Sequence, residues 1–164
     1  MMKNLKEYIK EGLFDDLDKR EELGGLNAAT EDIKKEIYNW ICKNTRTKTF
    51  KNKLKYNFTD DGIIVDYDDD VIFKDGMDSL TNGIFQWGYV SGFFNCSHSN
   101  IKSLEGSPKK VGGSFACNYC KSLESLEGAP KEVGGWFNCF NCKTQFTEED
   151  VRKVSKVKGE IHCI

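Results

Sequence analysis

Four cysteines in the C-terminal half of the chain have the spacing of a zinc ribbon. Cys117 and Cys120 form one Cys-x-x-Cys pair, and Cys139 and Cys142 form a second pair. Eighteen residues lie between the two pairs. Thiolates at this spacing hold Zn²⁺ in a tetrahedron in many small zinc modules. A zinc-dependent nucleic-acid-binding module is therefore one hypothesis for this part of the chain.

An internal repeat offers a second explanation of the same spacing. Residues 103–117 read Ser-Leu-Glu-Gly-Ser-Pro-Lys-Lys-Val-Gly-Gly-Ser-Phe-Ala-Cys, and residues 125–139 read Ser-Leu-Glu-Gly-Ala-Pro-Lys-Glu-Val-Gly-Gly-Trp-Phe-Asn-Cys, so the period is 22 residues. Self-similarity at this period is typical of solenoids of the leucine-rich-repeat kind. Cys96 and Cys163 continue the first cysteine position without a second cysteine three residues later. We therefore favour buried thiols over zinc ligands and predict no cofactor.

Disulfides are disfavoured at the same repeat positions. Stacked strands lie ~4.8 Å apart, whereas the Cβ atoms of a disulfide lie ~3.8 Å apart. The chain has seven cysteines and no export signal, which is typical of free thiols in a reducing compartment.

Aligned copies of the repeat predict about five coils, each of which contributes one short strand to a parallel sheet. The first apolar column comprises Val71, Phe94, Phe115, Phe137 and Ile161, and the second comprises Phe73, Cys96, Cys117, Cys139 and Cys163. Mostly polar residues lie between these columns, as in a strand with one buried face. We interpret the glycine pairs at 112–113 and 134–135 as positions with backbone angles that other residues resist.

The positions that alternate with the buried columns carry aromatic and amide side chains. The core does not need these groups, and exposed groups of this kind mark interaction surfaces. We predict that the outer sheet face binds a protein partner through Phe93, Asn95, Asn118, Trp136, Asn138, Phe140 and His162. The alternative is that another segment of the chain covers these residues.

The first part of the chain is predicted to close the N-terminal end of the solenoid. Residues 30–44 form a helix with one apolar stripe that contains Ile33, Ile37, Trp40 and Ile41. Residues 54–58 and 63–67 form a hairpin. The predicted fold is α+β: residues 1–26 form a helix and a flexible tether, 27–70 a helix and hairpin cap, and 71–164 a leucine-rich-repeat-like parallel β-solenoid.

The last coil departs from the repeat. Its return segment is replaced by Thr-Glu-Glu-Asp-Val at 147–151, which indicates a short helix that runs to about Lys156. Thr147 is its predicted N-cap, and Phe146 and Val151 have the spacing of a hydrophobic staple.

No catalytic arrangement can be assembled from the spacing. His98 lies near Cys96, but no carboxylate is placed to orient its ring. The aspartates at 66 and 68–70 lack the spacing of an EF-hand, and the glycine pairs lack the Lys-Ser/Thr of a phosphate loop. We therefore predict a non-enzymatic protein.

The repeat Leu-Glu-Gly-Ala-Pro-x-x-Val-Gly-Gly-x-Phe-x-Cys resembles one found in leucine-rich-repeat-like proteins of tailed bacteriophages. The approach to the repeat is similar too, through Tyr-Asn-Phe-Thr-Asp-Asp-Gly at 56–62 and Val-Asp-Tyr-Asp at 65–68. The resemblance covers residues 55–142. The chain lacks the usual Leu-Pro return before Tyr89, where Trp87 and Gly88 lie in a longer insertion. The resemblance implies a phage-encoded repeat protein.

The first residues are similar to a second phage pattern. Residues 2–12, Met-Lys-Asn-Leu-Lys-Glu-Tyr-Ile-Lys-Glu-Gly, resemble the capsid-targeting peptides of proteins packed inside large tailed-phage heads. In that family a protease cuts after a Glu that follows an Ile or Leu two positions earlier, and Ile9, Glu11 and Gly12 match this pattern. The resemblance implies a head-internal virion protein, and the alternative is an ordinary amphipathic helix.

Composition narrows the partners and the compartment. The 164 residues carry a net charge of −2, which does not favour general binding to nucleic acid. No stretch approaches the ~20 apolar residues of a membrane span. We expect the chain in the host cytoplasm or the phage head interior, bound to a host or phage protein. Anti-defence activity and self-association through the edge strand at 160–164 are further hypotheses.

Overall fold

The computed structural model describes residues 20–47, 51–59 and 61–163, which form two helices, a 3₁₀ turn and eleven strands. In chain order the elements are α1 (Arg20–Asn44), the 3₁₀ turn (Lys51–Lys53), β1 (Leu54–Thr59), β2 (Gly62–Tyr67), β3 (Val71–Ile72), β4 (Phe85–Val90), β5 (Phe94–Asn95), β6 (Lys110–Val111), β7 (Phe115–Ala116), β8 (Glu132–Val133), β9 (Phe137–Asn138), α2 (Glu148–Val154), β10 (Lys156–Val157) and β11 (Ile161–His162). Neither helix in these ranges is long and apolar enough to cross a membrane.

The strands form two sheets, and the chain alternates between them. Sheet A has the order β1-β2-β4-β6-β8-β10, and sheet B has the order β3-β5-β7-β9-β11. All pairings in sheet B are parallel, and so are those in sheet A apart from the antiparallel β1–β2 hairpin. The predicted α+β fold with a parallel solenoid of about five turns is confirmed.

Sheet B has the register that the repeat predicts. Val71 pairs with Phe94, Phe94 with Phe115, Phe115 with Phe137, and Phe137 with Ile161. The three phenylalanines are fully buried, and their rings follow one another along the solenoid axis, with centroids 5.7 and 4.9 Å apart. Burial of these aromatic side chains stabilises the contact between successive coils.

Sheet A was not predicted. The sequence suggested one strand in each coil, whereas each central coil has two, because the residues before each glycine pair also form a strand. These strands place Val111 and Val133 in the core and leave Lys110 and Glu132 in solvent. The predicted hairpin exists, and its second strand pairs in parallel with β4. The hairpin therefore forms the first two strands of sheet A.

The glycine pairs have a different role from the one predicted. The φ angles of Gly112 and Gly134 lie outside the left-handed region, so their backbone angles do not require glycine. A Cβ atom on Gly134 would lie 2.0 Å from the carbonyl oxygen of Gly112, and one on Gly112 would lie 2.4 Å from that of Ser91. Close approach of successive coils therefore excludes a side chain. The left-handed angles occur in the return bends, at Gly106 and Gly128 (φ 87° and 83°).

Helix α1 starts earlier than predicted. It begins at Arg20 and passes through Thr30, so residues 20–26 are helical rather than part of a flexible tether. Charged residues such as Arg and Glu are good helix formers, and the Gly24–Gly25 pair weakens this helix without ending it. Ile37 and Ile41 are buried as predicted, and the Trp40 ring contacts Phe73 and Phe85, with centroids 6.2 and 5.7 Å away.

Helix α2 begins as the sequence indicates. Thr147 accepts a hydrogen bond from the Asp150 backbone N–H (3.2 Å), and the Asp150 carboxylate accepts one from the Thr147 N–H (3.0 Å). This capping box satisfies two backbone donors at the start of the helix. Phe146 and Val151 are both buried. The helix ends at Val154, and Lys156 already belongs to β10.

Candidate functional site

The predicted binding residues lie on one surface, the outer side of sheet B. Because the strands are parallel and in register, residues that precede the strands line one edge and residues that follow them line the other. Trp136 and Phe140 are 37% and 39% exposed. We call this surface the aromatic face and define it as Phe93, Asn95, His98, Asn118, Tyr119, Trp136, Asn138, Phe140 and His162.

Two groups of rings lie on opposite edges of the aromatic face. Phe93 and Trp136 directly precede their strands, with ring centroids 5.3 Å apart, and the ring of His162, which lies within β11, is 6.2 Å from that of Trp136. After the strands, His98 stacks on Tyr119 with centroids 5.0 Å apart, and Tyr119 meets the Phe140 ring edge-on at 5.8 Å. Contacts at these distances hold the rings in fixed orientations while leaving one side open.

Asparagine amides lie between the two ring groups. The Asn95 side-chain oxygen accepts from the Ser97 N–H (2.9 Å), and that of Asn138 accepts from the Phe140 N–H (3.0 Å). The Asn118 oxygen accepts from the Ser97 hydroxyl at 2.6 Å. Their Nδ2 groups find no acceptor in the ranges that the structure describes. The face therefore presents oriented amide donors between apolar rings.

The site includes two residues that were not predicted to belong to the binding face. His98 and Tyr119 have left-handed backbone angles, with φ of 58° and 59°, and Asn141 has φ of 56° at the same repeat position. A left-handed angle is costly for a non-glycine residue. The turns after β5, β7 and β9 hold the backbone at this angle, and the backbone sets the direction of these side chains. Extending the repeat alignment beyond the cysteines would have shown this column. Ala116 lies between the two apolar columns, where the alternation predicts an outward side chain, but it is only 2% exposed.

Carboxylates from the preceding coil position the first ring. Asp70 accepts a hydrogen bond from the Phe93 N–H (2.7 Å), and Asp66 accepts one from the Tyr89 N–H (2.6 Å). Asp68 accepts from the Ser91 hydroxyl at 2.7 Å. These acids, which lack the spacing of an EF-hand, therefore tie the first coil to the second.

Glu160 and Lys121 are charged residues that contact side chains or turns of the aromatic face. Glu160 lies 3.6 Å from the His162 ring nitrogen. Lys121 lies 5.9 Å from the Tyr119 ring centre and donates to the Asn141 carbonyl oxygen at 2.9 Å. These contacts bring one negative and one positive charge to the face, whereas binding to a phosphate backbone requires a cluster of positive charges.

The structure divides the four cysteines proposed as zinc ligands. The Cys142 thiol donates to the Cys117 carbonyl oxygen at 3.0 Å, and the Cys120 thiol donates to the Cys96 carbonyl oxygen at 3.3 Å. The Cys139 thiol instead lies 3.2 Å from the Cys163 sulfur. Burial raises the pKa of Cys117 and of the neighbouring Cys96, which opposes thiolate formation. Across the described ranges, no group of three or more His, Cys, Asp or Glu residues could hold a metal ion.

Chelation is expected to leave the fold intact, because buried thiols donate to backbone carbonyls. Cys120 donates to the Cys96 oxygen at 3.3 Å and Cys142 to the Cys117 oxygen at 3.0 Å. Thermal unfolding of protein purified without chelator should give the same midpoint with and without EDTA, and elemental analysis should find no stoichiometric zinc. One zinc per chain, lost together with the fold, would contradict this expectation and restore the zinc-module hypothesis.

The sequence also raised a Cys/His pair and an N-terminal processing site. Cys96 is fully buried and donates to the Ala116 carbonyl oxygen, whereas His98 stacks on Tyr119 at the exposed face. The two residues therefore do not form a Cys/His pair. The predicted processing site at Ile9, Glu11 and Gly12 lies outside the described residues.

Comparison with known proteins identifies no relative: no family model matches the chain, and no curated protein or solved structure is significantly similar to it.

Proposed function

We propose that the protein is a non-enzymatic repeat protein that binds a protein partner through the aromatic face. The observation that carries this proposal is the exposure of Trp136 beside Phe93 and His162, on the side of sheet B that faces away from the phenylalanine core. Aromatic residues are enriched at binding hot spots, and the core of this solenoid is filled by other residues.

The chemistry of the face supports a protein rather than a nucleic acid as the binding partner. Amide donors at Asn95, Asn118 and Asn138 match peptide carbonyl acceptors, and the rings provide apolar contact area. Nucleic-acid affinity depends on several cations near the ligand backbone, and Lys121 is the one lysine that contacts a ring of the face in the described ranges. The partner that fits is therefore an uncharged, acceptor-rich protein segment.

The source and compartment of the partner follow from the phage resemblance alone. It supports a phage protein or a host protein, met either in the host cytoplasm or inside the phage head after delivery by the N-terminal peptide. Inhibition of a host defence protein fits the first setting. Pairing of a second copy along β11, which is the edge strand of sheet B, is the self-association version of the same proposal.

Trp136→Ala is expected to weaken partner binding by at least ~30-fold, the size of a hot-spot loss, while the fold stays intact. Trp136 is 37% exposed, so its removal should change the free energy of unfolding by less than ~1 kcal/mol. The measurement compares quantitative co-purification by immobilised wild type and variant from phage-infected cell lysate, followed by calorimetric titration with the isolated partner. Sedimentation of the chain alone detects a second copy as the partner.

Two further variants make the test specific. Phe140→Ala removes a ring from the opposite edge of the same face and should also lose the partner. Tyr89→Ala is the matched control, because Tyr89 is 41% exposed but belongs to β4 of sheet A. A partner that is lost equally with Tyr89→Ala, or retained by both face variants, would exclude the aromatic face as the binding site. Collapse of the fold in Trp136→Ala would place this side chain in the core.

A further inference from the structure

We infer that Cys139 and Cys163 form an oxidative modification site, at which a small-molecule disulfide such as oxidised glutathione converts two thiols into an intrachain disulfide. The two sulfur atoms lie 3.2 Å apart. A disulfide bond is ~2.05 Å long, so each sulfur has to move by roughly half an ångström. This pair therefore departs from the expectation that strand spacing keeps the stacked cysteines apart.

The backbone brings the two thiols together. Strands β9 and β11 pair in parallel, with Phe137 opposite Ile161 and Asn138 opposite His162. A cysteine directly follows each of these strands, and the Cys139 N–H continues the pairing by donating to the His162 carbonyl oxygen at 2.9 Å. Residues at the same register position point to the same side of a sheet, so the two thiols converge without a change in pairing.

The other cysteines of this column are engaged elsewhere. Cys96 donates to the Ala116 carbonyl oxygen at 3.3 Å, and the Cys117 carbonyl oxygen accepts a hydrogen bond from the Cys142 thiol at 3.0 Å. Cys96 and Cys117 are both fully buried. Cys163 differs because it is partly exposed, whereas its partner Cys139 is 2% exposed. An external oxidant therefore reaches Cys163 first.

The reaction is thiol–disulfide exchange in two steps. Cys163 loses its proton, and its thiolate attacks one sulfur of the small-molecule disulfide, which releases one thiolate of that molecule. The Cys139 thiol then loses its proton and attacks the Cys163 sulfur of the mixed disulfide, which releases the second thiolate. Two electrons pass from the protein to the oxidant, and the two protons end on the two released thiols.

The disulfide would crosslink the last coil to the coil before it. Its two ends are 24 residues apart in sequence, and this loop contains helix α2 and strand β10. A closed loop of this length restricts the unfolded chain and so stabilises the folded one. The strand beside the crosslink carries His162, whose ring contacts Trp136. Any effect on partner binding rests on the proposed function, whereas formation of the bond does not.

The experiment titrates thiols in the full chain after incubation with oxidised glutathione. Denatured protein should lose two free thiols, falling from seven to five, and peptide mapping without reduction should recover Cys139 linked to Cys163. Dithiothreitol should restore all seven thiols. The oxidised chain should unfold at a temperature higher by roughly 5 °C.

Single variants distinguish the Cys139–Cys163 disulfide from oxidation of the other cysteines. Cys163→Ser should keep six thiols under both conditions and show no shift in unfolding temperature. Cys42→Ser is the control: Cys42 is exposed on α1, so this variant should still lose two thiols. Seven thiols that persist in excess oxidant, or a crosslink between any other cysteines or between two chains, would overturn the proposal. None of these outcomes depends on whether the aromatic face binds a partner.

Discussion

Phe115→Ala is expected to lower the free energy of unfolding by about 3–5 kcal/mol, the range for removing a fully buried phenylalanine. The Phe115 ring is parallel to that of Phe94, with an interplanar angle of 2°, and its centroid lies 4.9 Å from that of Phe137. Its loss leaves a cavity in the middle of the ring stack. In a solenoid each coil contacts only its neighbours, so both interfaces of the central coil lose area.

Chemical denaturation monitored by circular dichroism measures this change. Phe115→Leu fills most of the same volume and should cost clearly less than the alanine variant. Trp136→Ala serves as the exposed-aromatic comparison, with a loss below ~1 kcal/mol. A loss below 1 kcal/mol for Phe115→Ala as well would show that the ring stack does not hold the coils together.

Gly134→Ala is expected to cost about 3 kcal/mol, at the upper end of overpacking effects. The added methyl group would lie 2.0 Å from the Gly112 carbonyl oxygen, which is backbone and cannot rotate away. The Gly134 N–H also donates to the Val111 carbonyl oxygen at 2.9 Å, which holds the two coils at this distance. The coils have to separate to admit the methyl group, which weakens both sheets at this corner.

A substitution at a second glycine distinguishes the effect of steric overlap from the effect of a left-handed backbone angle. Gly83 has a left-handed φ of 79° and no atom within 4 Å of a Cβ position. Gly83→Ala should therefore cost only about 1 kcal/mol, from backbone conformation alone. Thermal and denaturant unfolding of the two variants should rank Gly134→Ala as clearly more damaging. Equal losses would indicate that the coils are less closely packed at the glycine pairs than the structure shows.

Much of sheet B could be predicted because the period aligns residues of the same type. Phe94, Phe115 and Phe137 recur at nearly constant spacing, and a repeat position specifies a place in the stack. The strands of sheet A before the glycine pairs have one apolar residue each, Val111 and Val133, which lies between a charged residue and glycine, so the sequence shows no alternation there and gave no strand signal. Strand β4 contains Trp87, where the sequence departs from the repeat, and the alignment of repeats therefore did not predict this strand.

The candidate site was predicted in part, for related reasons. Alternation identified Trp136 and Asn138 as outward positions, because direction follows from the strand pattern. Tyr119 lies in a turn, where alternation does not apply and a left-handed angle sets its direction. The pairing of Cys139 with Cys163, rather than with Cys142, depends on side-chain rotation within one repeat position. A period of 22 residues contains no information about that rotation.

The parallel register of sheet B makes the length of the aromatic face adjustable by genetic duplication. Each pairing joins residues 21 to 24 positions apart in sequence, so every coil closes a loop of nearly the same size at nearly the same entropic cost. One duplicated unit adds two strands and one more position for a ring, and extends the face by ~4.8 Å. A change in copy number therefore alters the length of the face while the stacking interfaces stay unchanged.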